Sequence, residues 1–199
     1  RRAEHRPDRR GAEGGSRPGA GVLPCARTPR RAAPPCLQPP DPMSAQIISG
    51  REISATIREE LRERVAALKE EHGVTPGLAT VLVGENPASQ MYVGMKNRAA
   101  ATLGIHSRQL DLPGDLSQDE LLGVVQGLNA DPEIHGILVQ LPLPDAVGEG
   151  AVLEAIDPAK DVDGFHPVNA GRLVTGSGDF FAPCTPAGVV EMLLRSGHD

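Results

Sequence analysis

Ser89, Tyr92 and Lys96 stand at positions i, i+3 and i+7 of a segment with helical patterning. Those offsets place a hydroxyl, a phenol and an amine on one stripe of a helix. An amine is useful as a base or proton carrier only where burial and a neutral hydrogen-bonding neighbour favour its uncharged form. Gln140 is a candidate for that neighbour. It is the first polar residue after the apolar run Gly136-Ile137-Leu138-Val139, and its amide can accept from an amine without adding charge. A third group comes from Lys160-Asp161-Val162-Asp163-Gly164-Phe165-His166-Pro167. A carboxylate on such a Gly- and Pro-bearing loop can accept two hydrogen bonds from the amidine-like edge of a heterocycle. Asp163 is favoured for that role because Gly164 lets a ligand approach closely, whereas Asp161 suits the loop's own backbone. Each feature also has a plainer reading: a solvated helix face, an ordinary strand-end amide, and an acidic turn.

The elements around these residues argue for placing them together. Ile53, Ile57, Leu61, Val65 and Leu68 recur at helical spacing among charged residues, which predicts an amphipathic helix ending at Gly73. Leu78 to Val83 is apolar with almost no alternation, the mark of a buried parallel strand. Asn86-Pro87 opens a helix as cap and first residue, and Gly104 closes it. Ile105 to Leu112 reads as a second strand. Ser117-Gln118-Asp119-Glu120 is a capping box ahead of Leu121, Leu122, Val125 and Leu128, and His135 to Leu141 is a third strand. Thr185 and Pro186 are read as cap and first turn of a last helix containing Val189, Val190, Leu193 and Leu194. This alternation predicts an α/β fold: a three-layer parallel sheet with helices on both faces and right-handed crossovers. Ligands of such sheets bind beyond the carboxyl ends of the strands, where the segments after Val83 and Val139 both emerge.

Composition divides the chain near Met43. Residues 1–42 hold nine Arg and no Lys against four acidic residues, and nine of the 19 Pro. The whole chain carries −6, so with about +5 on this arm the remainder carries about −11. So few large apolar residues cannot offset the entropy of ordering, and the arm is expected to be disordered. It reads as an organellar targeting peptide, a basic nucleic-acid arm, or an extension ahead of a true start at Met43. Its Pro and Gly argue against the first, and its lack of Lys and aromatics against the second. From Met43 the acidic balance argues against nucleic acid or a membrane as the main partner, and no apolar run reaches the roughly 20 residues of a bilayer span.

Asp161-Val162-Asp163-Gly164 resembles the start of a calcium loop, but Phe165 stands where a further oxygen ligand is needed. His106, His135 and His166 have no metal-ligand spacing, so no metal is expected. Cys25 and Cys36 lie in the arm, leaving Cys184, with no disulfide framework. A reduced cytoplasmic setting is the default expectation. A nucleophilic Cys184 would need a local His base, and none is indicated.

Taken in order, Tyr92-Val93-x-x-Lys96, Gly136 to Pro144, Lys160 to Phe165, Asn169-x-Gly171-x-Leu173 and Pro183-Cys184-Thr185-Pro186-x-Gly188 resemble the bifunctional methylenetetrahydrofolate dehydrogenase/methenyltetrahydrofolate cyclohydrolase family. The resemblance runs from about Gln46 onward. It implies a folate-binding domain, here 43–182, followed after a linker helix at 183–199 by a Rossmann NADP domain that is largely missing from this chain. It implies NADP-dependent oxidation of 5,10-methylenetetrahydrofolate, then hydrolysis of the methenyl form to 10-formyltetrahydrofolate, in one-carbon metabolism serving purine biosynthesis. By the same resemblance Lys96 is the acid/base of hydrolysis, Gln140 holds it, Tyr92 packs along the folate, Asp163 grips the pterin and Ser89 supports the lysine. A homodimer is also implied, and NAD in place of NADP stays open. No glycine-rich G-x-G-x-x-G loop occurs in the chain. Two other classes of reading stand beside this one: a non-catalytic folate-binding or dimerising module, and a redox protein acting through Cys184.

Overall fold

Ser49 begins the first ordered helix by accepting from the Glu52 backbone N–H at 3.3 Å, the N-cap arrangement expected of a short hydroxyl. A computed structural model of the chain describes residues 45–198, so the readings of the basic arm lie outside the described residues. Helix α1, Gly50–His72, ends at Gly73, whose φ of 67° is the left-handed cap that glycine accommodates. Its apolar stripe is only half-buried.

Three strands follow, separated by helices: β1 Gly77–Val83, α2 Pro87–Thr102, β2 His106–Leu112, α3 Gln118–Ala130 and β3 Gly136–Val139. They form one parallel sheet in the order β2-β1-β3. Alternate residues of β1 face opposite ways. Ala79, Val81 and Val83 join Ile137 and Val139 of β3 against Leu121, Val125 and Leu128 of α3. Thr80, on the opposite face of β1, meets α2 through Asn97. Helices therefore cover both faces, as the uninterrupted apolar strands require. The predicted third strand, His135 to Leu141, is shorter as a regular element. Even so, the His135 N–H donates to Gly77 O and the Gln140 N–H to Val81 O, both at 2.8 Å, so pairing extends past both ends. Pro142, after a cis peptide bond, has no N–H to continue it.

Three later helices are α4 Glu149–Ala155, α5 Pro167–Thr175 and α6 Cys184–Arg195. Val152 and Ile156, in and just after α4, complete the α3-side core. The expectation that Thr185 caps the last helix is corrected: the cap lies two residues earlier, at Pro183, and offers no side-chain bond, so α6 starts at Cys184. Pro186 still falls in the first turn, where a missing N–H removes no intrahelical bond. Arg195 joins α6 to α1, its two terminal nitrogens donating to the two Glu60 oxygens at 2.7 Å each.

The loop carrying Asp163 is tied to the sheet through Lys160. Ile137 N–H donates to Lys160 O at 2.7 Å, and Asp161 forms a parallel bridge to Ile137. The Lys160 ammonium donates to three carbonyls at the end of α3: Leu128 at 3.2 Å, Asn129 at 2.8 Å and Asp131 at 2.9 Å. These carbonyls lack i+4 partners at the helix end, although Leu128 O also accepts from Asp131 N–H and Asp131 O from Ile134 N–H at 3.3 Å each, and they lie at the negative end of the helix dipole. Replacing Lys160 by Met is expected to lower stability by about 2 kcal/mol, read as a lower urea midpoint. A shift below about 0.5 kcal/mol, the ordinary range of surface substitutions, would show the ammonium to be dispensable.

Candidate active site

With the order β2-β1-β3, the chain leaves β1 towards one neighbour and reaches β3 on the other side. The crevice at the carboxyl ends of β1 and β3 is therefore the topological switch point where ligands of open α/β sheets bind. Asn86 starts α2 there, its Oδ1 accepting from the N–H groups of Ala88 at 3.0 Å and Ser89 at 3.1 Å. Two turns into the helix, half-buried Lys96 donates from Nζ to Gln140 Oε1 at 3.2 Å. The Gln140 amide cannot turn over freely, because its Nε2 donates to Leu141 O at 2.7 Å. That bond directs the oxygen at the amine.

The other sequence candidates are distributed around this pair. Ser89 is buried, at 4% exposure, and among the described residues no hydrogen bond links its side chain to Lys96. Tyr92 is exposed at 55%, an open aromatic face on the same helix. Asp161 is buried and accepts from the His166 N–H and from Asn169 Nδ2, both at 2.9 Å, so it holds the loop together. Asp163 is half-buried. Burial pushes its carboxyl above the usual pKa, against the pull of the Lys96 charge, with a smaller push from Asp161 and an opposing hydrogen bond from Cys184.

A family model of the catalytic domain of tetrahydrofolate dehydrogenase/cyclohydrolase matches residues 48–163, more than half of the chain. The chain belongs to this family. The bifunctional protein FolD of Dehalococcoides mccartyi is 57% identical over 155 residues, covering 78% of this chain and 52% of the relative. The corresponding protein of Syntrophobacter fumaroxidans is 54% identical with the same coverage. The chain thus spans about half the length of the curated relatives it matches. The crystal structure of FolD from Campylobacter jejuni superposes with a TM-score of 0.74 at 47% identity, covering 76% of this chain and 54% of that one. The Trypanosoma brucei enzyme, solved with NADP cofactor and an inhibitor, gives a TM-score of 0.74 at 39% identity, covering 77% of this chain and 52% of that one.

The family's nicotinamide dinucleotide would need a cradle of close glycines between a strand and a helix. The turns after β1 and β2 hold one glycine each, Gly84 and Gly114; Gly148 and Gly150 flank Glu149, an acidic first-turn residue that repels a pyrophosphate, at the start of the seven-residue α4, nine residues past the end of β3; and Gly176 and Gly178 follow a helix instead. The described residues do not fit a pyrophosphate site of that kind. A recess of about 610 Å³ runs along the ends of β1 and β2, lined by Gly84, Glu85, Gln90 and Asp111 among others. None of the five candidate site residues from the sequence lines it, and its two carboxylates offer no base paired to a neutral partner, so size alone does not mark the reactive centre.

Cys184 enters the site unpredicted. Its Sγ donates to Val162 O at 3.4 Å and faces Asp163 Oδ1 at 3.8 Å. Partial burial of the sulfur and the neighbouring Asp163 carboxylate push the thiol's pKa up, which disfavours the nucleophilic thiolate and the redox reading with it. The sequence signal for this contact was only the shared motif status of the two segments. Asn169 and Lys160 likewise stand in matching motifs, with no structural role legible from sequence. Among the described residues no helix is long and apolar enough to cross a membrane.

Proposed function

We propose that the protein acts in one-carbon folate metabolism, oxidising 5,10-methylenetetrahydrofolate with NADP and hydrolysing the methenyl product to 10-formyltetrahydrofolate. Residues 43–182 form the folate-binding catalytic domain in this reading. The observation that carries it is the Lys96–Gln140 contact at the switch point, within reach of the Asp163 loop. A methenyl folate presents a cationic amidinium carbon. Water adds to that carbon, and the Lys96 amine takes the departing proton. The hydroxyl of that adduct then gives up its proton to form the formyl C=O as the carbon–nitrogen bond to one nitrogen breaks; that nitrogen takes up a proton, the formyl group remains on the other, and one proton leaves to solvent. The Gln140 oxygen holds the amine in place without an added negative charge. Tyr92 supplies a face along the folate ring, and Ser89 packs beneath the helix start that positions Tyr92 and Lys96. The nicotinamide, held outside the described residues, would supply the hydride chemistry, and the folate half would contribute orientation. A cytoplasmic homodimer that supplies purine biosynthesis completes the reading.

The test is methenyltetrahydrofolate hydrolysis, followed as loss of the methenyl absorbance, by this chain and by the longest product of its gene. Acceleration over the buffer rate is expected. No acceleration by either would overturn the catalytic reading in favour of a folate-binding module.

Asp163 gives a pH-dependent check. Its folded pKa is raised, so the carboxyl is protonated in folded and unfolded states alike at low pH, and no penalty exists there. The penalty grows as pH rises from the ordinary carboxylate range towards the folded value. Asp163→Asn removes it, so the variant should gain urea resistance relative to the parent on going from acid to neutral pH. Folate donors favour the ionised form, so parental affinity should strengthen as pH rises through the raised pKa. The variant should bind roughly 10- to 100-fold more weakly, the worth of hydrogen bonds to a charged group, with a flat pH profile. Equal affinities at neutral pH would remove Asp163 from the folate site.

A further inference from the structure

Asn97 follows Lys96 on α2 and lies between the buried Val93 and Ala100, where an apolar side chain would otherwise pack. Its Oδ1 accepts two hydrogen bonds at 3.0 Å, from Thr80 Oγ1 of β1 and from Ser107 Oγ of β2. Its Nδ2 donates to Gln109 Oε1, and Gln109 Nε2 donates to the Asp111 oxygens at 2.7 and 3.0 Å. Thr80 is completely buried. Ser107, Gln109 and Asp111 are alternate residues of β2 and so share the face beneath α2. Leu110 and Leu112 face the core on the other side. One amide therefore ties the helix to two strands.

We propose that Asn97 is a positioning residue for Lys96: it sets the roll of α2 on the sheet so that the amine meets Gln140. The inference rests on the roles proposed above for Lys96 and Gln140. The apolar contacts of α2 come from small side chains, and apolar burial has no preferred direction. Hydrogen bonds do, since they weaken steeply when misaligned. Gln140 is anchored independently of α2, by its N–H on Val81 O and its Nε2 on Leu141 O, so it does not follow a rolling helix. The Lys96 Nζ ends a long stem and moves farther in any roll than the backbone, which lies about 2.3 Å from the axis. Loss of the Asn97 bonds therefore separates Nζ from Oε1 with little change in the fold.

The experiment uses the full chain carrying Thr80→Val, Asn97→Leu and Ser107→Ala together, which exchanges the linked polar groups for apolar ones of similar shape and leaves stability nearly unchanged. Hydrolysis of methenyltetrahydrofolate should show kcat reduced roughly 10- to 100-fold, the scale of a 1 Å misplacement, with KM within about twofold and the urea midpoint near the parent's. Adding Gln140→Ala to this background should lower kcat little further, because the contact is already lost. An unchanged kcat in the folded triple variant overturns the proposal. So does a Gln140→Ala effect as large there as in the parent. If the triple variant does not fold, Ser107→Ala alone should lower kcat at constant KM while Thr80 keeps its bond, and a parental kcat overturns the proposal. Parental hydrolysis by Lys96→Met and Gln140→Ala would instead sink the reading of the site itself, a failure distinct from that of Asn97.

Discussion

Lys96→Met should lower methenyltetrahydrofolate hydrolysis by roughly 10²- to 10⁴-fold, the range over which a positioned acid or base contributes, while folate binding stays measurable. Methionine keeps the length and apolar stem of lysine, so α2 retains its packing and the Gln140 oxygen loses only its donor at 3.2 Å. The half-buried side chain makes no other hydrogen bond among the described residues, so the urea midpoint should move little. Calorimetry with a folate analogue, run beside the hydrolysis assay, separates the two effects. Undiminished turnover in the variant would remove Lys96 from the chemistry. A parallel loss of binding and turnover would recast it as a binding residue. Gln140→Ala should fall in the same direction by a smaller factor, because the amine remains and loses only its orientation.

Gly164→Ala is the second large effect. Gly164 has φ +69°, a conformation costing roughly 1–2 kcal/mol for a residue with a Cβ. A Cβ built there would lie 2.6 Å from both the Phe181 carbonyl oxygen and the Ala182 carbonyl carbon. These are backbone atoms that cannot swing aside, and overpacking of this kind costs a further 1–3 kcal/mol. A total of about 2–5 kcal/mol is expected in the urea midpoint. The functional consequence is more specific: the strand of chain pushed away leads directly into Cys184, and the residue doing the pushing follows Asp163. Relief of the clash must separate the thiol from the carboxylate and shift Asp163 relative to Lys96. Folate affinity of the fraction that remains folded should therefore fall as well. Gly77→Ala is the contrasting case, since its Cβ would meet the Glu133 carbonyl at the other end of the sheet. It should destabilise without altering the affinity of the folded fraction. Equal affinity losses in the two variants would show that Gly164 affects folate only through stability.

The parts of this molecule that were readable in sequence share one property: their signal is local. Leu78 to Val83 and Gly136 to Val139 are apolar without alternation, and Asn86, Ser117 and Gly73 mark helix ends by their own chemistry. The position of Gln140 followed from the end of its strand, and a residue's separation from Lys96 in sequence does not matter once the strand order is parallel. Helix α5 was missed because its cap is His166, whose Nδ1 accepts from Val168 N–H at 3.1 Å, a role that sequence patterns assign to Ser, Thr, Asp or Asn. Helix α4 has Gly148 at its start with no side-chain bond, so nothing announces it. Asn97 was invisible for another reason. A polar residue on a half-apolar helix reads as surface until Thr80 and Ser107 are seen to converge on it from two strands. Thr185 was misassigned because it looks like a cap, while Pro183 had already turned the chain.

The sheet order also has a kinetic consequence. β1 is the central strand, and both of its partners are synthesised after it: Gly77 pairs with His106, and Leu78 with Gly136. At roughly 5–20 residues per second, β1 waits on the order of 3 to 12 seconds for β3 to leave the ribosome. Until β2 emerges, about halfway through that interval, Leu-Ala-Thr-Val-Leu-Val carries two unpaired edges, and until β3 emerges it carries one, with no charge and no proline, the composition that promotes intermolecular pairing. The strand that positions the reactive crevice is thus also the segment in most need of shelter while the protein is being made.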